Sequence, residues 1–496
     1  MTVAPARIAV AAERGMHSRR SSRSMMRTKV VATMGPAAST LEVVTDLVRA
    51  GMDIARINMS HGHHEHHRRG IELVREASRR VGRPVAILAD LQGPKLRIGQ
   101  LADPVRLNDD DIVTIAPEGE HRGAELPTSY ARLAEEVTGG TRLLLDDGLI
   151  ELECVNTDGR RAVFRVLRGG ILRSRKGMNL PGISVNTPAL TEKDERDLEF
   201  ALDMDVEYIG LSFVRNVNDV LGLKDRIRKR AWLVSKIEKA QALDDLDGIL
   251  SFSDAVMVAR GDLGVELPFA SVPLAQKRII QAANGYGCPV ITATQMLESM
   301  TMYPSPTRAE TSDVANAILD GTDAVMLSGE TAVGKHPVRT LEVMVRIAAE
   351  IEDSGVLKGG PHYLDEMGPV QRRGASPREH AVAASSVRSA RDLRAPAIIV
   401  ITRSGFSARL VASYRAPIPI FSVCTDPKVH RQMCGVWGVR PVLADEGEIT
   451  YQNLTDFGKR VVLGSGIGKT GDPVIVTSGL PFHSPGSTNT MRIEQL

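Results

Sequence analysis

The sequence predicts an α/β protein built on a closed (β/α)₈ TIM barrel, with an inserted all-β lid domain and a C-terminal open-sheet α/β domain. Three observations predict it: eight short β-branched runs that alternate with helical stretches, a long segment with hairpin signals after the third run, and a further strand–helix alternation near the end. Strands that alternate with helices pair in parallel. Eight such units are what a closed barrel requires.

The predicted barrel strands are the runs 29–33, 53–59, 85–89, 207–213, 232–237, 255–259, 289–292 and 324–327. Active sites of such barrels lie at the carboxyl ends of the strands, and seven consecutive runs end in polar groups that are costly to bury unpaired. Packing alone does not explain why seven consecutive strands end in polar groups. These groups are Arg56, Asn58, Ser60, Asp90, Ser212, Arg215, Lys236, Glu238, Arg260, Asp262, Thr294 and Ser328.

The segment between the third and fourth strands is too long for one helix. It contains period-2 runs at 112–116, 142–145, 150–155 and 162–166, separated by the turn signals Asp146-Asp147-Gly148 and Thr157-Asp158-Gly159. We therefore expect a small β domain over residues 94–187 that covers the barrel mouth as a lid, with passive decoration as the alternative. The barrel then comprises residues 28–93 and 188–355.

The last part of the chain, residues 356–496, is predicted as a separate open-sheet α/β domain. Gly359-Gly360-Pro361 marks its boundary, followed by a helix at 379–393 and strands at 398–401 and 474–477. Its first strand leads into a Gly/Ser turn and a helix, where free N–H groups and hydroxyls can cradle an anion. The residues of this candidate cradle are Thr402, Ser404, Gly405 and Ser407.

Composition excludes several other classes of protein. The chain has 496 residues, of which 43% are hydrophobic and 25% are charged, and a formal net charge of +2. The basic excess lies in residues 1–27, with six arginines against one glutamate, which we interpret as a disordered extension. A nearly neutral body argues against nucleic acid, no apolar run is long enough to span a membrane, and four scattered cysteines indicate no disulfide framework. We expect a cytoplasmic protein.

The rim residues together indicate phosphoryl transfer with Mg²⁺, or with Mn²⁺ in its place. Glu238 and Asp262 are hard oxygen donors on adjacent strand ends, as Mg²⁺ prefers, and Lys236 can neutralise a transferring phosphoryl group. Guanidinium groups suited to carboxylate or phosphate are expected from Arg56, Arg97 and Arg215. Five crowded histidines, at 61, 63, 64, 66 and 67, are interpreted as a solvated turn rather than a metal site.

Six strings carry a resemblance to the pyruvate kinase family, over about residues 28 to 496 and in the family's order. They are GMDIARINMSHG (51–62), DLQGPKLRIG (90–99), SKIE (235–238), MVARGDLGVE (257–266), ATQMLESM (293–300) and MLSGET (326–331). The resemblance implies Mg²⁺-dependent transfer of phosphate from phosphoenolpyruvate to ADP, giving pyruvate and ATP at the end of glycolysis. It also implies a homotetramer and a phosphorylated allosteric effector at the C-terminal turn.

The resemblance also implies residue roles. Lys236 would stabilise the transition state, and Thr294 and Ser328 would help deliver the proton that converts enolpyruvate into pyruvate. Mg²⁺ would be bound by Glu238 and Asp262. Substrate contacts would come from Arg56, Gly261, Asp262 and Thr294, and nucleotide contacts from Asn58, Ser60, His61, Arg97 and Lys176.

One departure from the family concerns K⁺. The family's K⁺ ligands correspond to Asn58, Ser60, Asp90 and the Leu91 carbonyl, but Lys95 replaces the Glu of K⁺-activated members and Leu91 replaces their Thr. A lysine ammonium supplies positive charge and repels the cation. The sequence therefore predicts an enzyme that does not require K⁺.

Two alternatives remain at this stage. One is another Mg²⁺-dependent barrel enzyme acting on phosphoenolpyruvate or an enolate, for which the lid and Lys236 would be idle. The other is a catalytically inactive metabolite sensor of the same fold, which would have lost Lys236, Glu238 or Asp262. All three residues are present.

Overall fold

The structure is a computed structural model that describes residues 26–183, 185–357, 361, 363, 375–445, 450–480 and 488–496. Its strands are β1 (Lys29–Thr33), β2 (Ile54–Asn58), β3 (Ala86–Asp90), β4 (Val105–Leu107), β5 (Ile112–Pro117), β6 (Leu126–Thr128), β7 (Arg142–Leu145), β8 (Ile150–Thr157), β9 (Ala162–Arg168), β10 (Gly170–Leu172), β11 (Met178–Asn179), β12 (Tyr208–Leu211), β13 (Trp232–Ile237), β14 (Ala255–Ala259), β15 (Val290–Ala293), β16 (Ala324–Leu327), β17 (Ile398–Ile401), β18 (Ile420–Cys424), β19 (Val439–Leu443), β20 (Pro473–Ser478) and β21 (Thr490–Gln495).

Helices connect these strands. They are α1 (Leu41–Ala50), α2 (His64–Val81), α3 (Leu133–Glu136), α4 (Glu192–Asp203), α5 (Val217–Ile227), α6 (Ala240–Asp244), α7 (Leu246–Phe252), α8 (Arg260–Glu266), α9 (Val272–Tyr286), α10 (Arg308–Leu319), α11 (Gly329–Ala332), α12 (Pro337–Asp353), α13 (Pro377–Asp392), α14 (Phe406–Ala412), α15 (Pro427–Gln432) and α16 (Tyr451–Gly464). Short 3₁₀ turns lie at Pro36–Ala38, Phe269–Ser271, Glu298–Thr301 and Met433–Gly435. None of the helices within the described residues is long and apolar enough to cross a lipid bilayer.

Eight parallel strands close into the predicted barrel, in the order β1-β16-β15-β14-β13-β12-β3-β2. Alternate residues of each strand belong to different hydrophobic clusters: Val30 and Ala32 pack with the surrounding helices, whereas Val31 packs with Leu88 and Val234 of other strands. This alternation follows from the period of two along a strand. Because both faces are covered, the strands are almost continuously apolar, and the predicted fold class is confirmed.

The inserted segment forms its own β structure. A six-stranded sheet has the order β11-β7-β8-β9-β5-β6, and β4 pairs with β10 in a small ribbon. The Asp146-Asp147-Gly148 turn joins β7 to β8, and all three residues have positive φ. The insert has a separate hydrophobic core that includes Phe164 and Leu152. Four short strands of this region (β4, β6, β10 and β11) have no counterpart in the sequence prediction.

The C-terminal region forms a five-stranded sheet of order β19-β18-β17-β20-β21, parallel except for β21. It is fixed to the amino-terminal end of the barrel by ion pairs, of which the pair between Arg415 and Asp323 is buried. Arg415, which is 2% exposed, lies 3.0 Å from Asp323, and Arg431 reaches Asp205 and the fully buried Glu207. The barrel interior and one face of this sheet share a single hydrophobic cluster.

Two sequence expectations concern the edges of these regions. The predicted amino-terminal extension lies outside the described residues as far as position 25. Its last residue, Arg27, does not fit an extension, because it is buried and its backbone and guanidinium groups donate to the Glu352 carboxylate. The predicted boundary at Gly359-Gly360-Pro361 also lies outside the described residues, apart from Pro361.

Candidate active site

Lys236 is at the centre of the charged rim. It lies on β13, is 9% exposed, and its Nζ donates to Ser212 Oγ at 2.7 Å. The same ammonium lies 2.9 Å from Glu238 and 3.2 Å from Asp90. Burial lowers the pKa of Lys236, but the two carboxylates raise it by more, so the net shift is upward. The structure therefore holds a permanent positive charge at the end of β13.

Asp90, the last residue of β3, connects Lys236 to Arg56. The Arg56 guanidinium donates from Nε to Asp90 Oδ2 at 2.7 Å and also contacts Thr33 at 3.2 Å. Burial raises the pKa of Asp90, yet Lys236 and Arg56 lower it by more, so this carboxyl stays ionised. Asp90 thus fixes two cations, Arg56 and Lys236, at the rim where an anionic substrate can contact them.

Glu238 and Asp262 supply the carboxylates of the site. Glu238 is 1% exposed and accepts from the Phe213 amide at 2.7 Å. Its pKa is raised by burial and by the negative charge of Asp262, while Lys236 opposes the rise. No group of three or more His, Cys, Asp or Glu in the described part of the chain converges as a metal cage. Two adjacent carboxylates that repel each other are nevertheless a fitting donor pair for a divalent cation whose other ligands are substrate oxygens and water.

Lys95 extends from the segment after β3 to the same carboxylates. Its Nζ lies 3.4 Å from Asp262 Oδ1, and both side chains are about one-quarter exposed, at 25% and 27%. Two of the four K⁺ ligands that the resemblance implied accept hydrogen bonds from protein groups. Asn58 Oδ1 accepts from the Ser60 amide at 3.1 Å, and the Leu91 carbonyl accepts from Ser212 Oγ at 2.7 Å.

Thr294 follows β15 in a backbone conformation that few residues adopt. Its φ is 66° and that of Gln295 is 53°, and a β-branched residue in this region costs of order 1–3 kcal/mol. Its hydroxyl accepts from the Gly261 amide at 2.8 Å and donates to the Ala293 carbonyl at 2.7 Å. Ser328 follows β16, and its buried Oγ has no hydrogen-bond partner among the described residues.

A cavity of about 600 Å³ opens beside the ends of β1 and β2. Asn58 and His61 contribute to its wall, together with Pro36, Leu73 and Gly62. Ser60 lies between Asn58 and His61 in the segment after β2, and the other two predicted nucleotide residues lie in the lid. Arg97 donates to the Arg175 carbonyl at 2.9 Å, and Lys176 pairs with Asp146 at 2.8 Å.

Two expectations about site residues require correction. Arg215 does not present a free guanidinium, because it makes a bidentate pair with Asp219 and donates to the carbonyls of Val185 and Thr187. His67 does not belong to a solvated turn. It is 7% exposed on α2, and burial lowers its pKa to about 4.

The candidate anion cradle follows β17, at the start of α14. Its hydroxyls are partly engaged: Thr402 Oγ1 accepts from the Gly405 amide at 3.0 Å, and Ser407 lies 2.7 Å from Thr488. Ser404 is exposed. Gly405 has a φ of 80°, which only glycine adopts readily.

Sequence reasoning missed one buried carboxylate of the rim. Glu330 is fully buried and accepts from the backbone amides of Ser328 at 2.6 Å and Leu297 at 3.1 Å. It therefore joins the two segments that carry Ser328 and Thr294. The MLSGET string contains Glu330 and could have drawn attention to it. Its hydrogen bond with the Leu297 amide could not be predicted from the sequence, because the fold brings these two residues together.

The fold and this rim define a class of protein: barrel enzymes that bind a phosphorylated anion between fixed cations and a carboxylate pair suited to a divalent metal. Comparisons with known proteins are more specific. A family model described as pyruvate kinase, barrel domain, matches residues 25–341, and one described as pyruvate kinase, alpha/beta domain, matches residues 380–494. The chain belongs to the pyruvate kinase family.

Individual relatives agree with this assignment. The chain is 42% identical to pyruvate kinase 2 of Synechocystis over 94% of its own length and 79% of the relative's. It is 41% identical to the pyruvate kinase of Mycobacterium intracellulare over 95% and 98% of the two chains. The solved structure of a pyruvate kinase from Cryptosporidium parvum superimposes with a TM-score of 0.89 at 34% identity, covering 96% and 97% of the two chains.

The resemblance inferred from the sequence is therefore confirmed, as is the activity that it implied. The chain is a phosphotransferase that acts on phosphoenolpyruvate and ADP and depends on a divalent metal. Neither alternative function is favoured by any of these findings.

Proposed function

We propose that the phosphoryl group passes from phosphoenolpyruvate to ADP directly beside Lys236. The observation that carries this proposal is the position of the Lys236 ammonium, which is buried between Asp90 and Glu238 and held by Ser212. Such a preorganised cation stabilises the negative charge of the transferring group without reorganisation. The bond between phosphorus and the enol oxygen breaks, and a bond to a terminal oxygen of ADP forms.

Other groups of the rim bind and orient the substrate. Arg56, held in place by Asp90 and Thr33, contacts the substrate phosphate. The backbone at Gly261 and Asp262 and the Thr294 hydroxyl hold the substrate carboxylate. Glu238 and Asp262 bind the divalent cation, which we assign as Mg²⁺, with Mn²⁺ as a substitute. When bound, the cation neutralises phosphoryl and carboxylate oxygens as a Lewis acid.

The second chemical event is protonation of enolpyruvate at its terminal carbon. Thr294 and Ser328, with water, deliver this proton. Support comes from Ser328 Oγ, which is buried without a partner among the described residues, and from the backbone conformation that fixes the Thr294 hydroxyl. Delivery of this proton converts enolpyruvate into pyruvate, which makes the overall reaction from phosphoenolpyruvate and ADP favourable.

The nucleotide occupies the cavity beside β1 and β2. Asn58, Ser60 and His61 lie at or next to this cavity, and Arg97 and Lys176 approach from the lid. Lys176 pairs with Asp146 within the lid at 2.8 Å. We assign these two cations to the phosphates of ADP.

Catalysis does not require K⁺. The support for this assignment is the Lys95 ammonium, which lies 3.4 Å from Asp262 and already supplies a monovalent positive charge at the rim. The two carbonyl and amide oxygens of the family's K⁺ set, on Leu91 and Asn58, accept hydrogen bonds from the protein itself.

Regulation and assembly complete the proposal. A phosphorylated effector binds at the turn formed by Thr402, Ser404, Gly405 and Ser407, the chain assembles as a homotetramer, and it acts in the cytoplasm. The support for the effector turn is its geometry, a glycine of positive φ before α14 with hydroxyls on both sides. Assembly and compartment rest on family membership.

Replacing Lys236 tests the central assignment. Lys236→Met keeps the length of the side chain and removes the charge, and we expect kcat to fall by about 10²–10³. Lys469→Met, at an exposed lysine of the C-terminal domain, is the matched control and should keep wild-type activity. Steady-state pyruvate formation is the measurement, and circular dichroism verifies the fold. Wild-type kcat in a folded Lys236→Met variant would refute the proposal.

A further inference from the structure

Arg260 is the first residue of α8, next to the substrate-binding backbone, but its guanidinium faces the protein. Nε donates to the Ala293 carbonyl at 3.3 Å, and Nη2 donates to the Thr294 carbonyl at 2.7 Å. Nη1 donates to Asp313 at 2.7 Å. Only 11% of the side chain is exposed. Because its donors are directed at the protein, Arg260 is poorly placed to bind substrate.

The two carbonyls that accept hydrogen bonds from Arg260 are those of Ala293 and Thr294. Two consecutive residues of this segment have positive φ, 66° at Thr294 and 53° at Gln295. Such a conformation persists only where surrounding contacts determine it. A planar fork that reaches consecutive carbonyls is suited to fixing a backbone in this way.

The anchor of Arg260 lies outside the active site. Asp313 is on α10 with 37% of its side chain exposed, and its Oδ1 is 2.7 Å from Arg260 Nη1. Gln276 of α9 makes a weaker contact with the same nitrogen at 3.3 Å. The opposite side of the segment is held by Glu330, which accepts from the Leu297 amide. Arg260 therefore connects Asp313, on the surface of α10, to the backbone carbonyl of Thr294.

We propose that Arg260, anchored by Asp313, is a positioning residue that holds the Thr294 hydroxyl in place for proton delivery to enolpyruvate. The inference rests on the proposed function of Thr294. Without Asp313 the guanidinium loses its fixed end, the segment relaxes towards ordinary φ values, and the Thr294 hydroxyl shifts. Misplacement of a reacting group by about 1 Å can cost about 10²-fold in rate.

The test separates proton transfer from phosphoryl transfer. Exchange of the pyruvate methyl hydrogens with D₂O, in the presence of Mg²⁺ and ATP, breaks and re-forms the same C–H bond that protonation of enolpyruvate makes. We expect Asp313→Asn to lower this exchange about tenfold or more while the protein stays folded. Arg260→Lys, which keeps the charge and loses the fork, should lower it as well. Glu342→Gln, at an exposed residue of the neighbouring helix α12, is the control.

A double-mutant cycle with Thr294→Ala completes the test. If Arg260 acts through Thr294, Asp313→Asn changes exchange less than about twofold in the Thr294→Ala background. An equal loss in both backgrounds would overturn the inference, as would wild-type exchange in Asp313→Asn and Arg260→Lys while Thr294→Ala is impaired. Wild-type exchange in Thr294→Ala would instead refute the proposed function of Thr294, and the inference with it.

Discussion

At the scale of single residues, the rim is governed by charges that are buried next to one another. Lys236 would be costly to bury alone, but Asp90 and Glu238 lie within 3.2 Å of it. The pKa of Lys236 is raised and that of Asp90 is lowered. Each shift favours the charged form, so the Lys236 ammonium and the Asp90 carboxylate stabilise each other's charge at the rim.

His67 is the residue whose protonation should limit acid stability. Burial lowers its pKa to about 4 in the folded protein, whereas an unfolded histidine titrates near 6.5. Between these values the unfolded chain binds more protons, so the stabilising contribution of neutral His67 is fully present above pH 6.5 and is lost as pH falls towards 4. We expect His67→Gln to flatten the decline in thermal unfolding temperature over this window.

His121 offers the control for this measurement, because it is exposed on the lid. His121→Gln should leave the slope of unfolding temperature against pH as in the wild type. An unchanged slope in His67→Gln would mean that other groups determine the acid sensitivity.

At the scale of elements, turns of unusual backbone conformation connect rigid strands to functional segments. The turn before α14 requires Gly405, whose φ is 80°. A Cβ at this position would collide with the Met433 side chain and approach the Trp232 ring at 3.2 Å. Trp232 begins β13, the strand that carries Lys236. The candidate effector turn is therefore in contact with the far end of a catalytic strand.

Gly405→Ala should disturb this element. The left-handed conformation alone costs about 1–2 kcal/mol, and the collision with Met433 adds to it, so we expect a lower midpoint of urea unfolding. Gly464→Ala is the matched control, because Gly464 ends α16 with open space around it and alanine favours a helix by up to about 1 kcal/mol. Equal midpoints for the two variants would contradict the packing described for Gly405.

The sequence predicted the barrel because its signals are local. Strands β1, β13, β14 and β16 were predicted to their final boundaries, and the ends of the other four barrel strands differ by one or two residues. Carboxyl ends of parallel strands meet at one rim, so the placement of Lys236 and Glu238 at this rim followed from their strand alone. The short lid strands were missed because strands of two or three residues, such as β11, carry too few residues for a periodic pattern.

Side-chain partners could not be predicted in the same way. Arg215 and Arg56 both follow or end strands, yet Arg215 is occupied by Asp219 four residues along its own segment, and Arg56 by Asp90 from the next strand. His67 is the only one of its histidine group that faces the core. Such distinctions depend on helix phase and tertiary packing rather than on residue type.

At the scale of the whole molecule, the C-terminal domain and the barrel are continuous in their packing. Arg415 and Asp323 form a buried pair across the boundary, and the partly exposed Arg431 pairs with the buried Glu207. The cluster that fills the barrel interior extends into the C-terminal sheet. Removing either Arg415 or Asp323 would leave a buried charge without its ion-pair partner. An event in one domain is therefore not mechanically isolated from the other.

The most direct test of the account is pyruvate formation from phosphoenolpyruvate by the full chain, with Mg²⁺ and without K⁺, in the presence and absence of ADP. The account predicts pyruvate only when ADP is present, a rate that K⁺ does not raise, and a requirement for K⁺ that appears in Lys95→Glu. Strong activation of the wild type by K⁺ would contradict the role assigned to Lys95. Absence of ADP-dependent pyruvate under both conditions would contradict phosphoryl transfer at this rim.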